Sequence, residues 1–91
     1  MHRLLLCGLS DLAEIAIVRA IDMEIEIVGF YDRSAKRTQF LSKPVWIEFE
    51  LLPAFDVAVV TDLTAPLATV QQLRARLDSD RVVVPDMLRI E

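Results

Sequence analysis

Five short runs of apolar residues recur along the chain, each closed by a glycine, a proline or a polar stretch. Continuous runs of this length, rich in β-branched and aromatic residues, are typical of strands buried on both faces of a sheet. The predicted strands cover residues 3–7, 25–32, 43–47, 56–60 and 81–85. A polar loop, 33–39, follows the second strand, and the tail 86–91 receives no assigned state.

The first helix is predicted between the first two strands. Ser10 can cap it through its side-chain oxygen, and Asp11 suits the positive end of the helix dipole, so the helix should run to about Asp22. On a helical wheel Ile15 and Val18 fall on the side expected to face water. Two exposed β-branched residues there predict a homodimer packed through this helix. The alternative is a surface with scattered apolar residues.

The second predicted helix lies between the fourth and fifth strands. Thr64 is the predicted N-cap, and Pro66 in the first turn suits the fixed φ angle of proline. Apolar residues then recur at spacings of three and four, at Leu67, Val70, Leu73 and Leu77. Polar residues occupy the positions between them, so we expect an amphipathic surface helix. Residues 47–54 are expected to add one or two helical turns.

Strands that alternate with helical segments predict an α/β fold: a doubly wound parallel sheet with helices on both faces and right-handed crossovers. No internal repeat, low-complexity tract or linker interrupts the sequence, and 91 residues suit one domain. We therefore expect residues 1–91 to form a single domain. The same length also fits a segment cut from a longer protein.

The composition of the chain suggests a surface that contacts a partner, and it argues against some classes of function. Apolar residues make up 54% of the chain and the mean hydropathy is +0.40, which is high for a small soluble monomer. The net charge of −4 argues against direct contact between this segment and nucleic acid. No apolar run approaches the roughly 18 residues of a membrane span, and the chain lacks a signal-peptide pattern. We expect a cytoplasmic protein without membrane contact.

The turn after the first strand is the main candidate for ligand binding. In GLSDLA, Gly8, Ser10 and Ala13 match the dinucleotide-binding spacing G-x-G-x-x-G/A, with serine at the second position and Leu9 between. Asp32 ends the second strand 24 residues after Gly8, near the roughly 20 expected for an acid that binds a ribose hydroxyl. The alternative is structural: Gly8 serves a tight turn and Asp32 caps the next segment.

Further candidates lie at the ends of the second and fourth strands. Arg33, Lys36 and Arg37 follow Asp32 and suit phosphate contacts, although a solvated basic loop has the same composition. Thr61, with the neighbouring aspartate, ends the fourth strand beside the crevice in which doubly wound sheets bind ligands. Thr61 is therefore a candidate by position.

The sequence signatures of common catalytic sites are absent. His2 is the only histidine, which rules out a HExxH zinc site and leaves a Ser-His-Asp triad dependent on a terminal residue. The chain has neither a G-x-x-x-x-G-K-[ST] phosphate loop nor a G-x-S-x-G nucleophile elbow. The lone cysteine, Cys7, is expected to be a buried apolar residue and not a reactive thiol. We therefore expect no catalytic residue, no metal ligand and no enzymatic activity within this chain.

The stretches LLLCGLSDLAEIA, IEIVGFYDRS, FLSKPVW and FDVAVVTDL together resemble small Rossmann-like nucleotide-binding domains, over about residues 3–86. Relatives of this kind include the N-terminal domains of bacterial sugar acyltransferases and of sugar-nucleotide dehydratases. They also include CoA-binding domains and the ligand-sensing domains of some winged-helix transcriptional regulators. The resemblance implies five strands in the order 3-2-1-4-5 and a nucleotide site lined by Gly8, Ser10 and Asp32. The implied ligands are NAD(P), CoA or a UDP-sugar.

Three functions remain open from the sequence. The first is a dimeric, non-catalytic regulatory domain that senses a nucleotide or cofactor, as in a transcriptional regulator. The second is the nucleotide-binding portion of an NAD(P)-dependent or sugar-nucleotide enzyme whose catalytic residues lie elsewhere. The third is a degenerate fold of this kind that acts only in dimerisation. Fold resemblance alone does not decide among them.

Overall fold

Two helices and six strands follow one another in the structure, a computed structural model that describes residues 3–85 except the side chain of Ser79. The elements are β1 (Arg3–Cys7), α1 (Asp11–Asp22), β2 (Glu26–Tyr31), β3 (Gln39–Phe40), β4 (Lys43–Trp46), a 3₁₀ turn (Phe49–Leu51), β5 (Val57–Val60), α2 (Pro66–Arg74), a second 3₁₀ turn (Ser79–Arg81) and β6 (Val82–Val83). His2 and the tail 86–91 lie outside the described residues.

The strands form one mostly parallel sheet in the order β3-β4-β2-β1-β5-β6. β1 pairs in parallel with β2 and β5, while β4 and β6 extend the sheet outward from these two strands, also in parallel. Only β3 is antiparallel, to β4. The predicted α/β class is confirmed.

The expectation of five strands in the order 3-2-1-4-5 was wrong, because β3 adds a sixth strand outside β4. The chain reverses between β3 and β4 through Leu41 and Ser42, whose φ angles are +51° and +65°. Positive φ at both central residues of a two-residue hairpin defines a turn that normally uses Asn-Gly. Because Leu-Ser carries no such signal, the sequence did not indicate this hairpin.

The core has two parts, one on each face of the sheet. Side chains alternate along β1, so that Leu5 and Cys7 pack on one face with Val70 and Leu73 of α2. Leu6 packs on the other face with apolar residues of α1. The two helices therefore lie on opposite faces, as expected, and β1 is buried between them.

The helix ends differ from the prediction. Ser10 occupies the N-cap position of α1 but makes no side-chain cap, because its hydroxyl donates to the carbonyl oxygen of Thr61. The N-cap of α2 is Ala65 and not Thr64, with Pro66 in the first turn as expected. Both predicted side-chain caps are therefore wrong. The hydroxyl of Ser10 is engaged in a tertiary contact, and α2 begins one residue later than expected.

The second helix is also shorter than its apolar pattern indicated. Val70 and Leu73 are buried, whereas Leu67 is 60% exposed and Leu77 lies beyond the end of α2 at Arg74. Within residues 3–85, none of the helices has the length and apolar character that crossing a membrane requires.

Candidate functional site

Three strands end together at one edge of the sheet. The register places Cys7 of β1 beside Tyr31 of β2 and Val60 of β5. The residues that follow these strand ends leave the sheet at the same edge. β1 is also the strand at which the chain changes direction across the sheet, since β2 lies on one side of it and β5 on the other. In open parallel sheets, ligands bind at such a point.

A cleft opens at this edge. Its inner part has a volume of about 130 Å³, and it adjoins a wider part of about 340 Å³ that shares Tyr31, Arg33 and Gln72 with it. Ligand sites in proteins commonly have volumes of about 300–1,000 Å³. The inner part is lined by Gly8, Tyr31, Asp32, Arg33, Ser34, Asp62, Ala65, Ala68, Thr69 and Gln72. The strand ends and one side of α2 therefore face each other across the cleft.

Gly8 is required by the backbone at the floor of the cleft. Its φ angle is +121°, and a Cβ atom at this position would overlap the backbone N and Cα atoms of Asp62. The N–H of Gly8 donates to the carbonyl oxygen of Tyr31 at 3.2 Å. Gly8 thus permits the close approach of two turns. This agrees with the structural alternative, in which Gly8 serves a tight turn, and Gly8 also lines the cleft.

Thr61 and Ser10 join the turn after β1 to the turn after β5. The Thr61 hydroxyl donates to the carbonyl oxygen of Gly8 at 2.6 Å, and its N–H donates to the carbonyl oxygen of Cys7 at 2.9 Å. The Ser10 hydroxyl donates back to the carbonyl oxygen of Thr61. Thr61 is fully buried. The two hydroxyl hydrogens are therefore directed into the protein.

The six predicted site residues separate into two groups. Gly8, Asp32 and Arg33 line the cleft. Leu9 is half-buried against the α1 face of the core, while Ser10 and Thr61 connect the two turns beneath the cleft. The sequence pattern located the strand ends but could not show which of their side chains face outward.

Asp32 supports its own loop. Its Oδ1 accepts hydrogen bonds from the N–H of Ser34 at 2.9 Å and from the Ser34 hydroxyl at 3.3 Å. This Asx turn holds the loop at the end of β2. Arg33, next to it, lines both parts of the cleft. The cleft thus receives a carboxylate and a guanidinium from adjacent positions.

The opposite wall is held by Asp62. Its Oδ1 accepts from the N–H groups of Thr64 and Ala65 at 2.8 and 3.1 Å, and its Oδ2 accepts from the Thr69 hydroxyl at 2.7 Å. Partial burial raises the pKa of Asp62, but the hydrogen bonds from Thr69, Ala65 and Thr64 outweigh it, so the pKa lies below its ordinary value. Asp62 is ionised at neutral pH and fixes the start of α2.

An aromatic pair lines the wider part of the cleft. The rings of Tyr31 and Phe49 meet edge to face with centroids 5.7 Å apart. The guanidinium of Arg76 lies 5.0 Å from the Phe49 centroid and pairs with Glu50 at 2.8 Å. Burial raises the pKa of Tyr31, which Arg33 and Arg76 oppose only in part. Tyr31 therefore stays neutral at physiological pH.

Some cleft residues were not identified from the sequence. Gln72 lies on the side of α2 that was expected to face water, and the sequence analysis predicted no ligand contact for Thr69, Tyr31 or Phe49. The only sequence signal for this wall was the position of Asp62 after a buried strand. Among the three cations of the basic loop, only Arg33 lines the cleft, while Arg37 lies over the Phe40 ring at 5.3 Å.

The interior of β1 offers no reactive thiol. Cys7 is fully buried, and burial together with the nearby Asp32 carboxylate raises the pKa of its thiol to about 12. The expectation of a buried apolar cysteine is confirmed. Within residues 3–85, no group of three or more His, Cys, Asp or Glu side chains is arranged to hold a metal ion.

Comparisons with known proteins give no family for this chain. No protein-family model matches it, and no curated protein is similar to it. Functional inference therefore rests on the geometry of the cleft.

Proposed function

We propose that the chain is a cytoplasmic, non-catalytic domain that binds a nucleotide or a nucleotide-like cofactor in the cleft at the ends of β1, β2 and β5. The observation that supports this most strongly is the position of the cleft where the chain changes direction across the sheet, with Asp32 and Arg33 in its lining. Parallel sheets use this position for ligands because it gathers the strand ends and the loops that follow them.

The ligand chemistry follows from the cleft residues. A carboxylate such as that of Asp32 accepts hydrogen bonds from vicinal ribose hydroxyls, and the planar fork of Arg33 suits a phosphate. The wider part carries the aromatic pair and the amide of Gln72, which suit a flat heterocycle. Volumes of about 130 and 340 Å³ fit one nucleotide unit better than a whole dinucleotide. NAD(P), CoA and UDP-sugars would then bind through one nucleotide portion.

Regulation is the second part of the proposal. The cleft lies between the loop after β2 and α2, so a ligand that contacts both would couple these two segments. A homodimer through α1, supported by the exposure of Ile15 and Val18, would let an attached domain respond to that change. The resemblance to Rossmann-like sensing domains of transcriptional regulators agrees with this proposal. An enzyme portion would bind the same ligands without this response.

Thermal shift against NAD, NADH, NADP, CoA, UDP-sugars and ATP tests the proposal. A ligand at about 100 times its Kd stabilises the folded state by about 2.7 kcal/mol, which for a domain of this size raises the Tm by about 10–20 °C. We expect at least one compound to give such a shift.

Variants in the cleft locate the binding. Asp32→Asn keeps an oxygen that can accept from Ser34 but removes the charge, and a roughly tenfold loss of affinity would about halve the shift. Arg33→Ala should weaken the binding of each of these compounds that shifts the Tm, because all of them carry phosphate. Asp22→Asn and Arg74→Ala make the same changes at exposed positions outside the cleft lining and should leave the shift unchanged. If no compound shifts the Tm at millimolar concentration, ligand binding is contradicted and the dimerisation function is favoured.

A further inference from the structure

The side of α1 that faces away from the sheet carries exposed apolar residues between its charged ones. Its inner side buries Leu12, Ala13 and Ala20. On the outer side Ile15 is 54% exposed and Val18 57% exposed. Polar residues normally fill the outer side of a helix that covers a sheet. A paired apolar surface on a helix therefore indicates a contact with another molecule.

Of the exposed charges on this side of α1, which also include Glu14 and Asp22, two belong to one ordered row. Residues four apart lie side by side on a helix, and one such row consists of Asp11, Ile15 and Arg19, all exposed. Along the helix the row is acidic in the first turn, apolar in the middle and basic in the last turn. A two-fold axis beside Ile15, perpendicular to the helix, places the reversed row of a second copy against this row. Acid then meets base at both ends, and Ile15 meets its own copy.

We infer that a second copy of this chain packs against α1, with the two α1 helices antiparallel and the two-fold axis at Ile15. In this register Asp11 lies opposite Arg19 of the partner subunit, twice in each dimer. Val18, one turn from Ile15, fills the groove beside the central contact. The inference rests on the dimeric part of the proposed function, to which it adds the orientation and register of the partner.

In the described part of the chain, neither Asp11 nor Arg19 takes part in an ion pair. Among residues 3–85 the ion pairs are Arg3–Glu26 and Arg76–Glu50. Glu14 lies in the same first turn as Asp11 but about 60° around the helix axis from it. In the antiparallel register Glu14 therefore has no cation of the partner subunit opposite it. Charge reversal at Asp11 and at Glu14 separates a specific contact from a general change in charge.

The contact is small. A helix of 12 residues is about 18 Å long, so two such helices bury less than the roughly 800 Å² per partner of a standard interface. We expect a dimer that dissociates at micromolar concentration. Each exposed ion pair changes such an equilibrium about threefold, so the two symmetric pairs together change it about tenfold.

Sedimentation velocity of the full chain, from low micromolar to near-millimolar concentration, tests the inference. Asp11→Lys and Arg19→Glu should each weaken the dimer about tenfold, and the double variant should restore it, because the reversed charges again meet. Glu14→Lys makes the same charge change in the same turn and should alter the dissociation constant less than about twofold. Ile15→Asp should give a monomer, whereas Leu67→Glu, on the opposite face of the sheet, should not.

Circular dichroism and Tm show that each variant is folded. A chain that stays monomeric throughout the concentration range overturns the inference. So does a dimer that is equally sensitive to the changes at Asp11 and Glu14, one that the double variant fails to restore, or one that Leu67→Glu disrupts. Ligand-induced thermal shift of the parent chain separates the two proposals: a chain that binds a ligand but stays monomeric contradicts the dimer alone, and a dimer that binds none of the compounds contradicts the cleft alone.

Discussion

The hydrogen bonds that connect the two turns beneath the cleft can be removed one at a time. Thr61→Val keeps the shape of the side chain but removes the hydroxyl that donates to the carbonyl oxygen of Gly8 at 2.6 Å. Because Thr61 is fully buried, water cannot replace this donor. Loss of one buried hydrogen bond with an acceptor left behind costs about 1–3 kcal/mol.

In a domain of this size each 1 kcal/mol lowers the Tm by about 4–8 °C. We therefore expect Thr61→Val to lower the Tm by about 5–20 °C. Ser10→Ala removes the reciprocal bond to the Thr61 carbonyl and should cost about 1 kcal/mol, less because this bond is only partly buried. Urea denaturation followed by circular dichroism measures both free energies of unfolding, and Thr61→Ser is the control that retains a hydroxyl.

The double variant tests whether the two bonds act together. Both bonds join the turn after β1 to the turn after β5, so the loss of one should reduce the contribution of the other to the free energy of unfolding. We expect a coupling free energy between the two substitutions of at least about 0.5 kcal/mol. If Thr61→Val is as stable as the parent chain to within about 0.5 kcal/mol, the hydroxyl does not hold the turns. If either variant abolishes ligand binding while stability is unchanged, the hydroxyls face a ligand instead.

Two further predictions concern the β3–β4 turn and the start of α2. Replacing Leu41 and Ser42 with Asn and Gly should raise the free energy of unfolding by about 0.5–1 kcal/mol per site, because both residues have positive φ. Urea denaturation measures this free energy, and a double variant less stable than the parent chain would refute the turn geometry. The pKa of Asp62 is lower in the folded than in the unfolded chain, so its contribution to stability is present above the unfolded pKa, 3.8, and is lost as the pH falls through the lower folded pKa. Asp62→Ala should therefore flatten the acid limb of a plot of Tm against pH below about pH 4, and an unchanged limb would contradict the assignment.

The sequence predicted the strands of the parallel sheet better than it predicted their connections. Apolar runs such as 3–7 and 56–60 are long enough to indicate buried strands, and the structure has β1 and β5 there. β4 agrees with the strand predicted at 43–47, but β3 was missed because a two-residue strand has no periodicity to detect. The turn between them uses Leu41 and Ser42 at positive φ instead of the Asn-Gly that signals such a hairpin.

Side-chain roles at the candidate site depended on contacts that are distant in the sequence. Ser10 has the composition of a helix cap, but the carbonyl oxygen of Thr61, 51 residues away, accepts its hydroxyl instead. The dinucleotide-binding spacing also predicted Ser10 as a ligand contact. Its hydroxyl is instead engaged by Thr61, a contact that the local sequence does not indicate. Asp32 and Arg33 were easier to identify, because residues that directly follow a buried strand lie at the edge where clefts form.

Binding in the cleft is the central claim, and an NMR titration of the ¹⁵N-labelled chain with ATP, CoA, NAD and a UDP-sugar tests it most directly. Binding in the cleft predicts that backbone amide shifts change at Gly8, at 32–34 and at Gln72, with little change at Asp11 and along the outer side of α1. Amide shifts centred on Ser10 and Asp11 would place a phosphate at the start of α1 instead. Unchanged spectra with all four compounds would contradict the proposed function.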